Sequence, residues 1–222
     1  MPDNETLPTI AVLGGTGNEG GGLALRWANG GYDVIIGSRQ QEKAETAAAE
    51  LNETLGGGSI RGMANPDAAR EAEIVVLTVP YSAHRPTLES VYDEVQGKIL
   101  VDVTAPLQPP VWTVTLPEGR SAAEEAQALL GENVRVVSAF QNVSHIHLRD
   151  LEHGVDCDVL VTGDDAEAKE EVITLVEAVG TRGVDAGPLA NAVVAESLTA
   201  LLIAVNRRYK VKSAGIRITG ID

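Results

Sequence analysis

The segment Gly15-Thr16-Gly17-Asn18-Glu19-Gly20 constrains this chain more than any other. It follows directly on residues 9–13 (TIAVL), a continuous aliphatic run of the kind that forms a strand buried on both faces. It opens residues 18–29, which read as a helix closed by Gly30-Gly31. Strand, G-x-G-x-x-G turn and helix in that order make the first half of a dinucleotide-binding βαβ unit. In this reading Gly15 makes the tight turn, Gly17 lets the backbone approach a pyrophosphate, and Gly20 lets the helix pack close to the sheet. The helix N-terminus then offers free N–H groups and a positive dipole end to the phosphates.

The rest of the chain keeps the same rhythm. Strand-like runs are expected at 33–36, near Ile60, at 74–79, 99–103 and 134–138. Helices are expected at 40–55, 65–72, from about Tyr81 to Val95, and at 121–130, where Ser121 and Glu124 form a capping box. Residues 104–117 carry four prolines and read as a loop. Strands separated by helices imply right-handed crossovers and a parallel, doubly wound α/β sheet. Beyond Ser138 the rhythm changes. A loop or short helix, a strand at 158–162, a helix capped by Asp164, a short strand near Val184 and a largely apolar helix at 191–206 are expected. The expected division is a loose tail at 1–8, a dinucleotide-binding domain at 9–145, and a smaller C-terminal domain at 146–222.

Charge excludes some functions. Thirty-two acidic residues against 17 basic ones give −15, so a nucleic-acid backbone or an anionic membrane surface meets net repulsion. No apolar run is expected to be long enough to span a bilayer, and the start MPDNETLP has no apolar signal-peptide core. One cysteine, Cys157, suits a reducing compartment, and a cytoplasmic protein is expected. The basic residues are unevenly placed. Residues 198–221 hold Arg207, Arg208, Lys210, Lys212 and Arg217 with no acid, a patch suited to an anion, an acidic partner surface or a subunit contact.

The second strand selects the dinucleotide. NAD-binding chains place an acid about 20 residues after the glycine turn, at the end of that strand. Here the end reads Ile36-Gly37-Ser38-Arg39, with Lys43 one helical turn further on, and Asp33 lies at the other end. A hydroxyl and two cations with no acid suit a 2′-phosphate, hence NADP(H).

In order along the chain stand GGTGNEGGGLALR, IIGSR, LTVP, GRSAAEEA and DAGPLANAVVAESLT. Together they resemble the F420-dependent NADP reductases, also called NADPH-dependent F420 reductases, from Thr9 onward. The resemblance implies a Rossmann-type domain with a small C-terminal α/β extension, a homodimer, and hydride transfer between NADP(H) and the deazaflavin coenzyme F420. It implies that Thr16, Ser38, Arg39 and Lys43 hold the 2′-phosphate and that Gly15, Gly17, Asn18 and Glu19 lie along the pyrophosphate. Val79, Pro80, Ala105, Ala139 and the loop to His145 would surround the nicotinamide. The tail at Ala214 and Gly215, with Arg207, would approach the deazaflavin. Many members carry a histidine in the loop after the sixth strand. Here that loop reads Ala139-Phe140-Gln141-Asn142, so Gln141 or Asn142 is expected to hydrogen-bond a deazaflavin carbonyl instead. That change leaves open another hydride acceptor (a flavin, a metal ion, an imine or a keto acid), or an NADP(H)-sensing module. No catalytic side chain is assigned, because hydride transfer between flat rings needs mainly stacking and exclusion of water.

His145, His147, Asp150 and His153 form a polar loop and not a metal site, since no Cys or Glu framework accompanies them. His84 reads as a capping or surface residue. Cys157, between Asp156 and Asp158, lacks a cation to lower its pKa and is not a nucleophile.

Overall fold

The computed structural model describes residues 7–118 and 120–221. Most of the expected N-terminal tail (1–6), and Gly119, lie outside the described residues. The elements are β1 (Ile10–Leu13), α1 (Asn18–Asn29), β2 (Val34–Ser38), α2 (Gln41–Thr54), β3 (Arg61–Ala64), α3 (Asn65–Glu71), β4 (Ile74–Leu77), α4 (Tyr81–Ser90), β5 (Ile99–Asp102), α5 (Ala122–Leu130), β6 (Arg135–Ser138), α6 (His145–Leu148), β7 (Asp158–Gly163), α7 (Ala166–Ala178), β8 (Arg182–Asp185) and α8 (Ala192–Tyr209). A short 3₁₀ turn, Leu189–Asn191, leads into α8.

The strands form one sheet in the order β3-β2-β1-β4-β5-β6-β7-β8. β1 to β6 are parallel, and the chain reverses direction across the sheet between β1 and β4. β7 is the departure, because it pairs antiparallel to β6. The β6–β7 connection passes through α6 without a crossover and returns the chain at the end where β6 stopped. β8 then pairs parallel to β7 after α7.

Alternation along β1 builds two cores. Ile10 and Val12 join one aliphatic cluster with Trp27 of α1, Leu51 of α2 and Leu175 of α7. Ala11 and Leu13 join the other, with Ala68 of α3, Leu88 of α4 and Ala126 of α5. With so few aromatics, the edge-on contact of Trp27 and Phe140, 5.8 Å between centroids, is a notable anchor beneath the loop after β6.

Four sequence expectations change. The helix expected to reach about Val95 ends at Ser90. The α7 cap is Asp165, whose side chain accepts the Ala168 N–H, whereas Asp164 accepts the Leu189 N–H and ties β7 to the start of α8. Asn65 is the first residue of α3 and not its cap. The span Leu189–Tyr209, with an 18-residue window of mean hydropathy 1.6, is long and apolar enough to cross a membrane by length and composition, which corrects the expectation above. In the fold this helix is docked on the sheet domain. Buried Glu196 accepts the Ala122 and Ala123 N–H groups at the start of α5, at 2.8 and 3.0 Å, and Thr199 donates to the Gln141 carbonyl.

Candidate active site

The glycine turn positions the first cavity. Gly14, not Gly15, carries the left-handed conformation, at φ +86°, and turns the chain off β1 beneath Val79. Gly15 is buried, where a Cβ would meet Ile36 and the Val12 carbonyl. A Cβ on Gly20 would lie 2.3 Å from Thr78 Oγ1 and 2.9 Å from the Gly15 backbone, so only glycine lets α1 sit this close to the turn. A Cβ on Gly17 would press on the Gly14 carbonyl at 3.3 Å and meet nothing else, and Gly17 is exposed to the cavity. No side chain caps the start of α1, which leaves its first N–H groups available to an anion.

The first cavity, of about 790 Å³, runs along the C-terminal ends of β1, β2, β4 and β5. This is the crevice where a doubly wound sheet binds its ligand. The structure brings Thr16, Ser38, Arg39 and Lys43 to one part of it, with Gly17, Asn18 and Glu19 along the turn and Val79, Pro80 and Ala105 at the far wall. Arg39 and Lys43 form no ion pair among the described residues, and Asp33 is held away at the start of β2 by Arg61, at 3.0 Å. Asn65, Thr78 and Thr104 also line this cavity and were not anticipated. The one signal for Asn65 was its Asn-Pro pair, which read as a cap.

A second cavity of about 370 Å³ lies between the loop after β6, α8 and the tail. Gln141, Asn142, His145, Lys212 and Ala214 line it. Ala139 is fully buried and lines neither cavity. Gly215 instead packs on Cys157, and Arg207 stacks over the Trp112 ring at 4.1 Å. His145 stands at the second cavity and not the first. Of the basic tail, Lys212 alone reaches this cavity; Arg217 pairs with Asp156.

Beneath the floor is a buried polar linkage that no sequence signal disclosed. His84 is buried, not at the surface, and its Nε2 lies 2.7 Å from Asp102 Oδ2. Asp102 Oδ1 accepts the Thr104 N–H, and the Asp102 carbonyl accepts a Gln141 N–H at 2.7 Å. The second Gln141 N–H goes to Ser138 Oγ. Gln141 Oε1 and Asn142 Oδ1 are buried without a partner among the described residues. Gln141 therefore offers the second cavity an acceptor and no donor, which corrects the expectation that it bonds a ligand carbonyl.

Two further charged groups shape the region. Arg26 is buried and donates to the carbonyls of His147, Leu148, Asp150, His153 and Val179, fastening the α6 loop and the end of α7 to α1. Burial pushes Glu19 up to about 8.

Similarity to known proteins agrees with this geometry. Residues 9–106 match the family described as NADP oxidoreductase, coenzyme F420-dependent. The F420-dependent NADP reductase of Methanocaldococcus jannaschii is 45% identical over 223 residues, covering 96% of this chain and 99% of the relative. The chain belongs to the F420-dependent NADP reductases. The Methanothermobacter thermautotrophicus reductase is 44% identical over 96% of this chain and 95% of its own length. A crystal structure from Arthrobacter sp. FB24, described as a candidate F420-dependent NADP-reductase, superposes with a TM-score of 0.80 at 28% identity, covering 96% of this chain and all of that one. Two histidines of the loop after β6 are tied down locally. His147 reaches the Ser213 carbonyl at 3.3 Å and His153 pairs with Asp150 at 3.0 Å. Cys157 is buried, and burial pushes its thiol up to about 11.

Proposed function

We propose that this reductase carries hydride between NADP(H) in the first cavity and the deazaflavin coenzyme F420 in the second. One observation carries the reading: the two cavities meet, and Glu19, Val103 and Ala105 border both. A dinucleotide laid along the first cavity would present its reactive end at that shared wall.

The donor sets fit the two coenzymes. Ser38, Thr16, Arg39 and Lys43 supply hydroxyls and cations for the 2′-phosphate, and neither cation is tied up in an ion pair among the described residues. The free start of α1 receives the pyrophosphate. The orphaned acceptors on Gln141 and Asn142 suit the imide N–H of a deazaflavin ring. Lys212 suits its anionic tail. The bound pair supplies the redox chemistry, a hydride donor facing a hydride acceptor. The chain supplies orientation and dryness. Val79, Val103, Ala105 and Phe140 form apolar walls, and the His84–Asp102 linkage fixes the loop at Thr104 and Ala105 between them.

The division into a binding domain at 9–145 and a smaller one at 146–222 for the deazaflavin side belongs to this reading, as do the cytoplasm and a homodimer. Val194, Leu201 and Tyr209 are exposed on α8, an apolar face suited to a second copy, and sedimentation of the pure protein tests it. The activity is tested by mixing the protein with NADPH and oxidised F420 and following loss of the deazaflavin absorbance. Turnover is expected. Its absence across several pH and salt conditions, with turnover of a flavin or imine instead, would overturn the assignment.

A further inference from the structure

We propose that Glu19 holds and delivers the proton that accompanies hydride transfer to the deazaflavin. The inference rests on the assignment of the two cavities above and adds a chemical role that the turn motif does not require. Of the three residues shared by both cavities, Val103 and Ala105 are apolar and Glu19 alone can carry a proton. Its Oε1 is buried and has no hydrogen-bond partner among the described residues.

The surroundings favour a neutral acid. Arg39 and Lys43 border the first cavity, His145 and Lys212 the second, and Asp102 lies under the floor at the end of β5. Arg149 approaches α1 at Gly21. No ion pair reaches Glu19 from any of these among the described residues, and the cause of its raised pKa is burial alone. At the start of α1 an ionised carboxylate would also face the dinucleotide phosphates. The acid form removes that repulsion and leaves an O–H at the junction.

The balance requires one proton at this step, and Glu19 is placed to supply it. In the reducing direction the C–H bond of NADPH breaks with both electrons, and a C–H bond forms on the central carbon of the deazaflavin. The ring nitrogen conjugated to that carbon then needs one proton, which Glu19 gives from its carboxyl before recovering one from water. In the reverse direction the Glu19 carboxylate takes that proton as hydride returns to NADP⁺.

Three measurements on the full chain test this. With glutamate ¹³C-labelled at the side-chain carboxyl, two resonances of the free protein, those of Glu19 and Glu196, should titrate near pH 8, and one of the two should vanish in Glu19→Gln. NADPH fluorescence titration at pH 7 should show saturable binding by Glu19→Gln, which reports correct folding and lets its rate be read at saturating NADPH. Single-turnover reduction of F420 should fall by roughly 100-fold or more in Glu19→Gln, the usual range for loss of a general acid, while Glu19→Asp should keep part of the rate and its decline at high pH. A Glu19 resonance titrating near 4.5, or a Glu19→Gln rate within threefold of the parent, would overturn the proposal and leave the reductase assignment standing. A parent protein that binds NADPH but never reduces F420 would overturn both.

Discussion

The strongest test of the dinucleotide assignment is Arg39→Ala. Arg39 stands at the end of β2, lines the first cavity with Ser38 and Lys43, and is bound to no acid among the described residues. Its guanidinium is therefore free to pair with a phosphate. Loss of a charge-assisted contact of this kind costs about 1.5–3 kcal/mol. Arg39 is exposed, so solvent screening places the effect at the lower end. About 1.5 kcal/mol corresponds to roughly a tenfold weaker affinity. NADH lacks the 2′-phosphate, so its binding should change by less than about twofold. Fluorescence titration of both nucleotides against both proteins measures the ratio. Raising the salt should narrow the difference between NADPH and NADH in the parent, because the contact is screened. Equal weakening of both nucleotides would refute the argument, since it would mean that Arg39 supports the pocket and does not read the phosphate.

Gly17→Ala and Gly20→Ala should separate binding from folding. The first meets only a tight contact with the Gly14 carbonyl and should fold but lose NADPH affinity, whereas the second forces a Cβ into Thr78 and should lower stability by about 1–3 kcal/mol in thermal unfolding. Arg26→Met leaves five carbonyls without their donor, and a loss of about 3–5 kcal/mol, roughly 10 °C in melting temperature, is expected by calorimetry. Glu196 is pushed up to about 8, first by burial, against backbone N–H bonds that favour its charged form. A raised carboxyl makes the folded state hold the proton longer. Its stabilisation is therefore complete below about pH 4.5 and is lost as pH climbs toward 8, at no more than about 1.4 kcal/mol per pH unit. Glu196→Gln should flatten the decline in melting temperature between pH 5 and 8; an unchanged slope would show that Glu196 is not its source.

Much of this protein is written locally. The strand–glycine–helix opening, the Ser121 cap and the run of parallel strands follow from aliphatic periodicity and turn chemistry within short windows. The acid-free end of β2 is equally local, and it names the dinucleotide because Ser38, Arg39 and Lys43 lie within one turn of each other. Positions that depend on distant partners were not legible. His84 looked like a surface residue until β5 brought Asp102 against it, and Arg26 looked like an ordinary helical arginine until five carbonyls from α6 and α7 closed around it. The antiparallel turn into β7 was hidden for the same reason, since strand direction is set by where a connection runs and not by the strand's own residues.

Glu19 marks the boundary between the two. The sequence places it in the glycine turn, and the family resemblance implies a place along the pyrophosphate. Only the tertiary structure sets Glu19 at the wall between two cavities, because that wall is assembled from α1 and the end of β5, segments more than eighty residues apart. A motif fixes which backbone approaches a phosphate; burial from remote segments decides which side chain can keep a proton there.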